Sequence, residues 1–367
     1  MRVIILGQQN NQVSYSMTEL AAGFKKFSDP KAPVTGGIFD LWKKVDKEGM
    51  RWDTNFLSAL NGFFGDELKN QNSDLQIQMG FYLENKKIEL SKRSLLAQYD
   101  AGSKKLVIFL HGLMDNELMW DFSGIRGTNY GSLLKEDQGM TPFFVRYNSG
   151  LHISDNGKSF SRMMDELLRN YHSDVDQIIL VGHSMGGLIA RSACYQADKL
   201  GHYWVDKVKK VFLLGSPSLG APLEKLVNII SWGSRKTFNP LGKSVSDLLN
   251  CRSDGIKDLR FGYLLEEDWL GKDPDALMEN NRTNIPLLSH AEHFIIVGTL
   301  FTHSQKKLSA YIGDAIVTKK SAQGSHRKKC QSIPFKEENI KIFNRIGHTK
   351  LAYHPLVYRQ LELWCRS

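Results

Sequence analysis

The chain has 367 residues, 41% hydrophobic and 24% charged, with a formal net charge of +9. This is the balance of a folded protein with one large core and an appendage, and no apolar stretch approaches the roughly 20 residues that a bilayer span needs. Four scattered cysteines (Cys194, Cys251, Cys330, Cys365) form no CxxC pair and no disulfide-like spacing, so they say nothing for zinc and little for an oxidising compartment.

The chain opens with Arg2 and a short apolar run, too brief for the central region of a signal peptide. A cytoplasmic location is the expectation, with non-classical export as the alternative. Residues 1–102 are expected to form a mainly helical extension. Helical spacing recurs near Met17–Phe27, Phe39–Val45 and Phe56–Phe64, and strand-like alternation near Leu75–Leu83. From Lys104 the pattern changes to short apolar runs of strand length: Leu106–Leu110, Phe143–Tyr147, Gln177–Val181, Val211–Leu214 and Phe294–Val297. Helical segments such as Phe160–Tyr171 and Leu188–Leu200 separate the early ones. Strands without strict alternation, interleaved with helices, predict a mostly parallel sheet covered on both faces. Residues 223–290 interrupt the rhythm and read as a cap inserted into a catalytic core of 103–222 and 291–367. Ile340–Phe343 is a last candidate strand, and Pro355–Trp364 a closing helix with proline in its first turn.

Residues 177–191 read QIILVGHSMGGLIAR, a buried strand, a tight turn and an apolar helix. A serine on such a turn has a strained backbone and presents its hydroxyl above the sheet. Its neighbours two positions away must be very small, and Gly182 and Gly186 meet that demand. Ser184 is therefore the candidate nucleophile. The Met185 N–H, at the helix start, is one candidate oxyanion donor. His183 adjoins the serine, faces away from it and is read as structural. The alternative, a phosphate-binding glycine turn, lacks a GxGxxG or P-loop pattern.

The earlier run KLVIFLHGLMDNELMW ends in His111-Gly112-Leu113. Leu113 supplies the second candidate oxyanion donor through its main chain, Gly112 lets that loop turn, and His111 braces it. Chain order then requires an acid and a base. Asp314, after the Phe294–Val297 run, is the candidate acid, with Asp268, Asp273 and Asp275 as rivals inside the insertion. His348 follows the last strand and is the candidate base, whereas His354 adjoins the closing helix and is expected to cap or pack. Met114, His152, Trp232 and Phe261 are candidate pocket residues, and His293 could line the same pocket.

From about Asn61 onward the chain resembles a bacterial group of lipase-like α/β hydrolases, relatives of triacylglycerol lipases and, more distantly, of the GPI inositol deacylases. The resemblance rests on NGFFGDEL (61–68), FLHGLMDNELMW (109–120), VRYNSGLHISDNG (145–157), VGHSMGGLIARSAC (181–194), LLGSPSLGAPLEKLVN (213–228), DLRFGYLLEEDW (258–269), GDAIVTKKSA (313–322) and the stretch from His348 to Tyr358. It implies an α/β-hydrolase fold, a triad of Ser184, Asp314 and His348, and ester hydrolysis under a cap, with no metal or cofactor. Relatives often carry G-D-G-x-V-P at the acid. Here Asp314 is followed by Ala315-Ile316-Val317-Thr318, so the following loop departs from the pattern.

An ester or lipid is the expected partner. The cap's apolar residues (Ile229, Ile230, Trp232, Phe238, Leu241, Phe261, Tyr263, Leu264, Leu265 and Trp269) suit a medium or long acyl chain or the burial of the cap itself. The alternatives are an acyltransferase on the same triad and a non-catalytic binding protein of this fold. The basic cluster at Lys319, Lys320 and His326–Lys329 reads as a solvated loop or as a patch for contact with a lipid surface. No nucleic-acid-binding motif accompanies it.

Overall fold

The computed structural model describes residues 2–6, 12–16, 54–99, 103–122, 125–221, 253–272, 281–299, 319–324 and 332–366. The described elements begin with β1 (Arg2–Leu6) and β2 (Gln12–Ser16), then α1 (Thr54–Asn70), β3 (Gly80–Leu83), β4 (Lys86–Lys87), α2 (Lys92–Gln98) and β5 (Lys105–Leu110). Next come α3 (Tyr130–Gln138), β6 (Thr141–Arg146), α4 (Ile153–Asn170), β7 (Gln177–His183), α5 (Met185–Leu200) and β8 (Val208–Leu214). The chain closes with α6 (Asp254–Phe261), α7 (Glu266–Trp269), β9 (Glu292–Thr299), α8 (Lys319–Ala322), β10 (Ile340–Asn344) and α9 (Pro355–Arg366).

Eight strands form one sheet in the order β10-β9-β8-β7-β5-β6-β3-β4. All neighbours from β10 to β6 are parallel, and β3 and β4 add an antiparallel edge. This is the mostly parallel α/β-hydrolase arrangement expected from the sequence. The runs that lacked alternation do so because both faces of each strand are buried. Leu106, Ile108 and Leu110 of β5 join the larger core with α4 and α5, whereas Val107 and Phe109 join the second core with α3 and α9. β7 and β8 divide in the same way: Ile178, Leu180, Val211 and Leu213 face one side, and Ile179, Val181, Phe212 and Leu214 the other. Each such side chain contributes about 1.5–3 kcal/mol by leaving water.

Two features depart from the sequence reading. The N-terminal segment contains an antiparallel pair, β1 with β2, where only irregular or helical structure was expected; Val3, Ile4 and Ile5 are β-branched, and such residues fit a pleated strand. The predicted helices at Met17–Phe27 and Phe39–Val45 lie outside the described residues. Strands β3 and β4 belong to the main sheet, with Phe81 paired to Val145. The segment read as an extension therefore supplies one edge of the core.

The described part of the insertion is packed into the body. Ile256, Leu259, Leu264 and Leu265 share the larger core with β5, β7 and α5. Ser192 Oγ of α5 donates to the Leu264 carbonyl at 2.6 Å, and Trp269 Nε1 to Ser154 Oγ at 3.0 Å. Helix α4 has no capping side chain of its own; the Asp258 carboxylate of α6 accepts the Ile153 N–H at 2.8 Å and serves as its cap.

A carboxylate cluster follows from this packing. Burial first, then the charge of Asp254, raises Asp66 of α1 to about 6. A carboxyl raised in the folded state binds its proton more tightly there than in the unfolded chain, so stability falls as pH rises from about 4 to about 6. The Asp66→Asn variant should therefore unfold at higher urea than the wild type at pH 7.5, with the gain disappearing below about pH 4. Urea midpoints at pH 3.5, 5 and 7.5 measure this, and an equal gain at all three would contradict it.

Candidate active site

The serine sits where β7 turns into α5. Ser184 has φ 52° and ψ −120°, a left-handed backbone rare for a residue with a side chain, and it is 3% exposed. Such a conformation costs on the order of 1–3 kcal/mol and persists only where its surroundings enforce it. Two backbone bonds do so: Ser184 N–H donates to the Leu214 carbonyl at 2.8 Å, and Gly187 N–H to the Ser184 carbonyl at 3.1 Å. The flanking glycines are required by contact with backbone. A β-carbon on Gly182 would lie 2.4 Å from the Gly187 nitrogen, and one on Gly186 would lie 2.3 Å from the Leu110 carbonyl oxygen.

The loop after β5 lies over this turn. Gly112 was read as allowing that loop to turn, but its φ is not positive; the left-handed residue is Met114, at φ 63°. Gly112 is needed because a β-carbon there would come within 3.1 Å of His183 Nδ1 and 3.3 Å of Ser184 Cβ. Leu113 and Met185 are both buried beside the serine turn, and Met185 begins α5, where the first N–H groups have no partner within the helix.

His111 is fixed from both ring nitrogens. Nδ1–H donates to the Gly112 carbonyl at 2.8 Å, Nε2 accepts the Tyr147 N–H at 3.3 Å, and the ring stacks on Tyr147 at 4.0 Å. Burial holds its pKa down at about 3, so it is a neutral brace. The Met114 N–H donates to Ser149 Oγ at 3.0 Å.

Support for this loop also comes from α1, which sequence reasoning did not connect with the site. Asn116 Nδ2 donates to Asn55 Oδ1 at 3.0 Å and to Ser58 Oγ at 3.1 Å. Asn148 Nδ2 donates to the Gly65 carbonyl at 2.9 Å, and Ser253 Oγ to the Gly62 carbonyl at 2.7 Å. The pattern NGFFGDEL carried the signal, since Gly62 and Gly65 leave room for Met114 and for the Asn148 side chain against the helix.

The loop after β10 reaches the same place. His348 opens a 3₁₀ turn, His348–Ala352, and is 5% exposed. Gly215, at φ 59° just after β8, leaves room for it; a β-carbon there would lie 3.0 Å from His348 Nδ1. His183 Nε2–H donates to the His348 carbonyl at 3.0 Å, and the two rings lie 4.7 Å apart. The residue beside the serine thus fastens the loop that carries the candidate base. Tyr130 OH lies 3.0 Å from the Leu351 and His354 carbonyls and accepts the His354 N–H at 2.8 Å. His354 Nδ1 accepts the Leu356 N–H at 3.2 Å, a capping role at α9.

The other candidates are distributed more widely. Asp314, Trp232, Asp273 and Asp275 lie outside the described residues, as does most of the basic cluster. Asp268 accepts the N–H groups of Leu264, Leu265 and Thr283, which commits it to shaping α7. His152 stacks on Trp269 at 3.6 Å and meets both oxygens of Asp258 at 3.1 Å. Burial opposes its charge, but Asp258 and Asp254 outweigh that and raise its pKa. Phe261 stacks on Tyr263 at 5.1 Å. His293 pairs in register with Val211, whereas His183 pairs with Leu214, so His293 lies toward the opposite end of the sheet from Ser184. It does not line a pocket at the serine.

Comparison with known proteins adds a family match over part of the chain. Residues 143–269, from β6 to α7, match the model of the PGAP1-like alpha/beta domain. No curated protein matches the sequence. Similar solved structures include the product of the gene lin2722 from Listeria innocua, at 14% identity and a TM-score of 0.41, covering 72% of this chain and 95% of that one. A thermophilic esterase from Thermogutta terrifontis has 14% identity and a TM-score of 0.40, covering 72% and 90%. An esterase from Pyrococcus furiosus has 14% identity and a TM-score of 0.41, covering 73% and 82%. The sheet order and the strand–serine–helix junction are those of an α/β-hydrolase fold, and the family match across that junction is consistent with the lipase-like family that the chain's motifs resemble.

Proposed function

We propose that the protein is a serine carboxylic-ester hydrolase acting through an acyl-enzyme. The observation that carries this reading is the backbone of Ser184, a side-chain-bearing residue held at φ 52° between β7 and α5. In the proposed cycle His348 takes the Ser184 proton as Oγ attacks the ester carbonyl, with Asp314 orienting the imidazole. The N–H groups of Leu113 and Met185 hold the oxyanion, His348 protonates the leaving alcohol, and water then releases the acid. The substrate class favoured is a medium- or long-chain acyl ester or lipid.

The test has two parts. A fluorophosphonate probe should label Ser184, located by mass spectrometry of the peptide. Turnover of p-nitrophenyl esters from acetyl to palmitoyl should then rise beyond butyryl. A sharp optimum at acetyl would overturn the lipid reading, and no labelling would overturn the serine hydrolase itself. An added alcohol that collects the acyl group in place of water would assign acyl transfer.

A further inference from the structure

His183 and Ser184 are consecutive in the chain, and the first of them reaches the loop that carries the candidate base. Along β7, Ile179 and Val181 point to the core shared with α3 and α9, and the two-residue period of a strand puts His183 on that same face. The loop after β10 packs there as well, through Ile346, Leu351 and Ala352. β7 ends at His183, and the left-handed backbone of Ser184 then turns the chain into α5. His183 is thus the strand residue nearest the serine on the face that this loop covers.

Its ring is held in place from several sides. It is 1% exposed, and its backbone pairs in register with Leu214 of β8. The Trp120 ring stands nearly at a right angle to it, with 6.4 Å between centres. The absence of a side chain at Gly112 leaves the space beside Nδ1, where a β-carbon would stand at 3.1 Å. From this seat Nε2–H donates to the His348 carbonyl at 3.0 Å. Gly215 makes room for the His348 ring on its other side. The base loop is therefore gripped at its backbone by the residue adjoining the nucleophile. A methionine at 183 would fill the same space but would withdraw this donor from a buried carbonyl. Freed of that bond, the loop can shift, and a displacement of about 1 Å between reacting groups is enough to cost on the order of 10²-fold in rate.

We propose that His183 is a positioning residue for the ester hydrolysis: its bond to the His348 carbonyl sets the base against Ser184 Oγ, without contact with the substrate. This inference rests on the esterase reading and adds to it the device that keeps nucleophile and base aligned.

Steady-state hydrolysis of p-nitrophenyl butyrate by the full-length protein, with fluorophosphonate labelling rates beside it, tests this. His183→Met should lower kcat about 30-fold while KM stays within about 2-fold of wild type. His183→Gln carries its amide nitrogen as far along the side chain as Nε2, and should keep kcat within about 3-fold of wild type. The nitrogen of His183→Asn stops at the position of Nδ1, so this variant should lose as much as His183→Met. In a His348→Ala background, adding His183→Met should leave the labelling rate unchanged, because a residue that acts only through His348 has nothing left to act on. A loosened fold would lower the rate in both backgrounds. Where His183→Met fails to fold, the contrast between His183→Gln and His183→Asn carries the test. Wild-type kcat in His183→Met, similar kcat in His183→Gln and His183→Asn, or a further fall in the His348→Ala background would each overturn this inference and leave the esterase reading standing. A wild type that neither turns over esters nor takes the probe would overturn both.

Discussion

Replacing Ser184 by alanine is expected to lower kcat for p-nitrophenyl ester hydrolysis by on the order of 10⁴-fold or more, with the Tm unchanged or raised. The size of the loss reflects how a nucleophile and its base work. Without Oγ no acyl-enzyme forms, and the base and the oxyanion donors have nothing to act on in concert, so a single deletion removes most of what the group supplies. What remains is the modest rate from binding and oxyanion contacts. The effect on stability has a separate cause: alanine keeps the β-carbon, so the strain at φ 52° persists and only the hydroxyl of a side chain buried at 3% exposure is lost. Steady-state assays beside thermal unfolding separate the two effects. Retained turnover in a folded Ser184→Ala protein would dismiss the mechanism altogether.

The second large effect is expected from Glu117. Its carboxylate is bidentate with the guanidinium of Arg146, with Nε to Oε2 at 2.7 Å and Nη2 to Oε1, and both side chains are nearly buried. The guanidinium also lies 4.0 Å over the Tyr82 ring and bonds Asn85 Oδ1. The pair therefore ties the loop after β5 to the end of β6 and to the β3–β4 edge. Glu117→Ala should destabilise the protein by about 3–5 kcal/mol, because it leaves a buried cation uncompensated. The double variant Glu117→Leu with Arg146→Met should cost clearly less than the single one, since it removes both charges. Urea denaturation of the three proteins decides this. If the double variant cost the same or more, the loss would belong to packing and not to the stranded charge.

Much of the central sheet was legible in the sequence, for a physical reason. β5, β7 and β8 are buried on both faces over Leu106–Leu110, Ile178–Val181 and Val211–Leu214, so those stretches are apolar without interruption, and the stretches read as strands differ from the observed ones mainly at their ends. The turn at Ser184 was legible because its geometry tolerates almost no side chains at positions 182 and 186. What was not legible depends on contacts between distant segments. Asp258 capping α4 joins residues 105 apart, and Asn116 meeting Ser58 joins residues 58 apart. Nothing local marks either pairing. His293 shows the same limit, since only the register of β9 against β8 reveals at which end of the sheet it lies.

The placement of β3 has a consequence for how this chain can be divided. A shortened gene product beginning at residue 103 would retain every residue proposed for chemistry, yet β6 would become an open edge. The ladder positions that Gly80, Phe81 and Tyr82 now occupy against Arg146, Val145 and Phe144 would be left without hydrogen-bond partners. Such an edge, flanked by the apolar surface of Phe143 and Val145, is a template for pairing with a second molecule. The segment from α1 to β4 therefore covers this edge of the sheet as well as bracing the serine's surroundings.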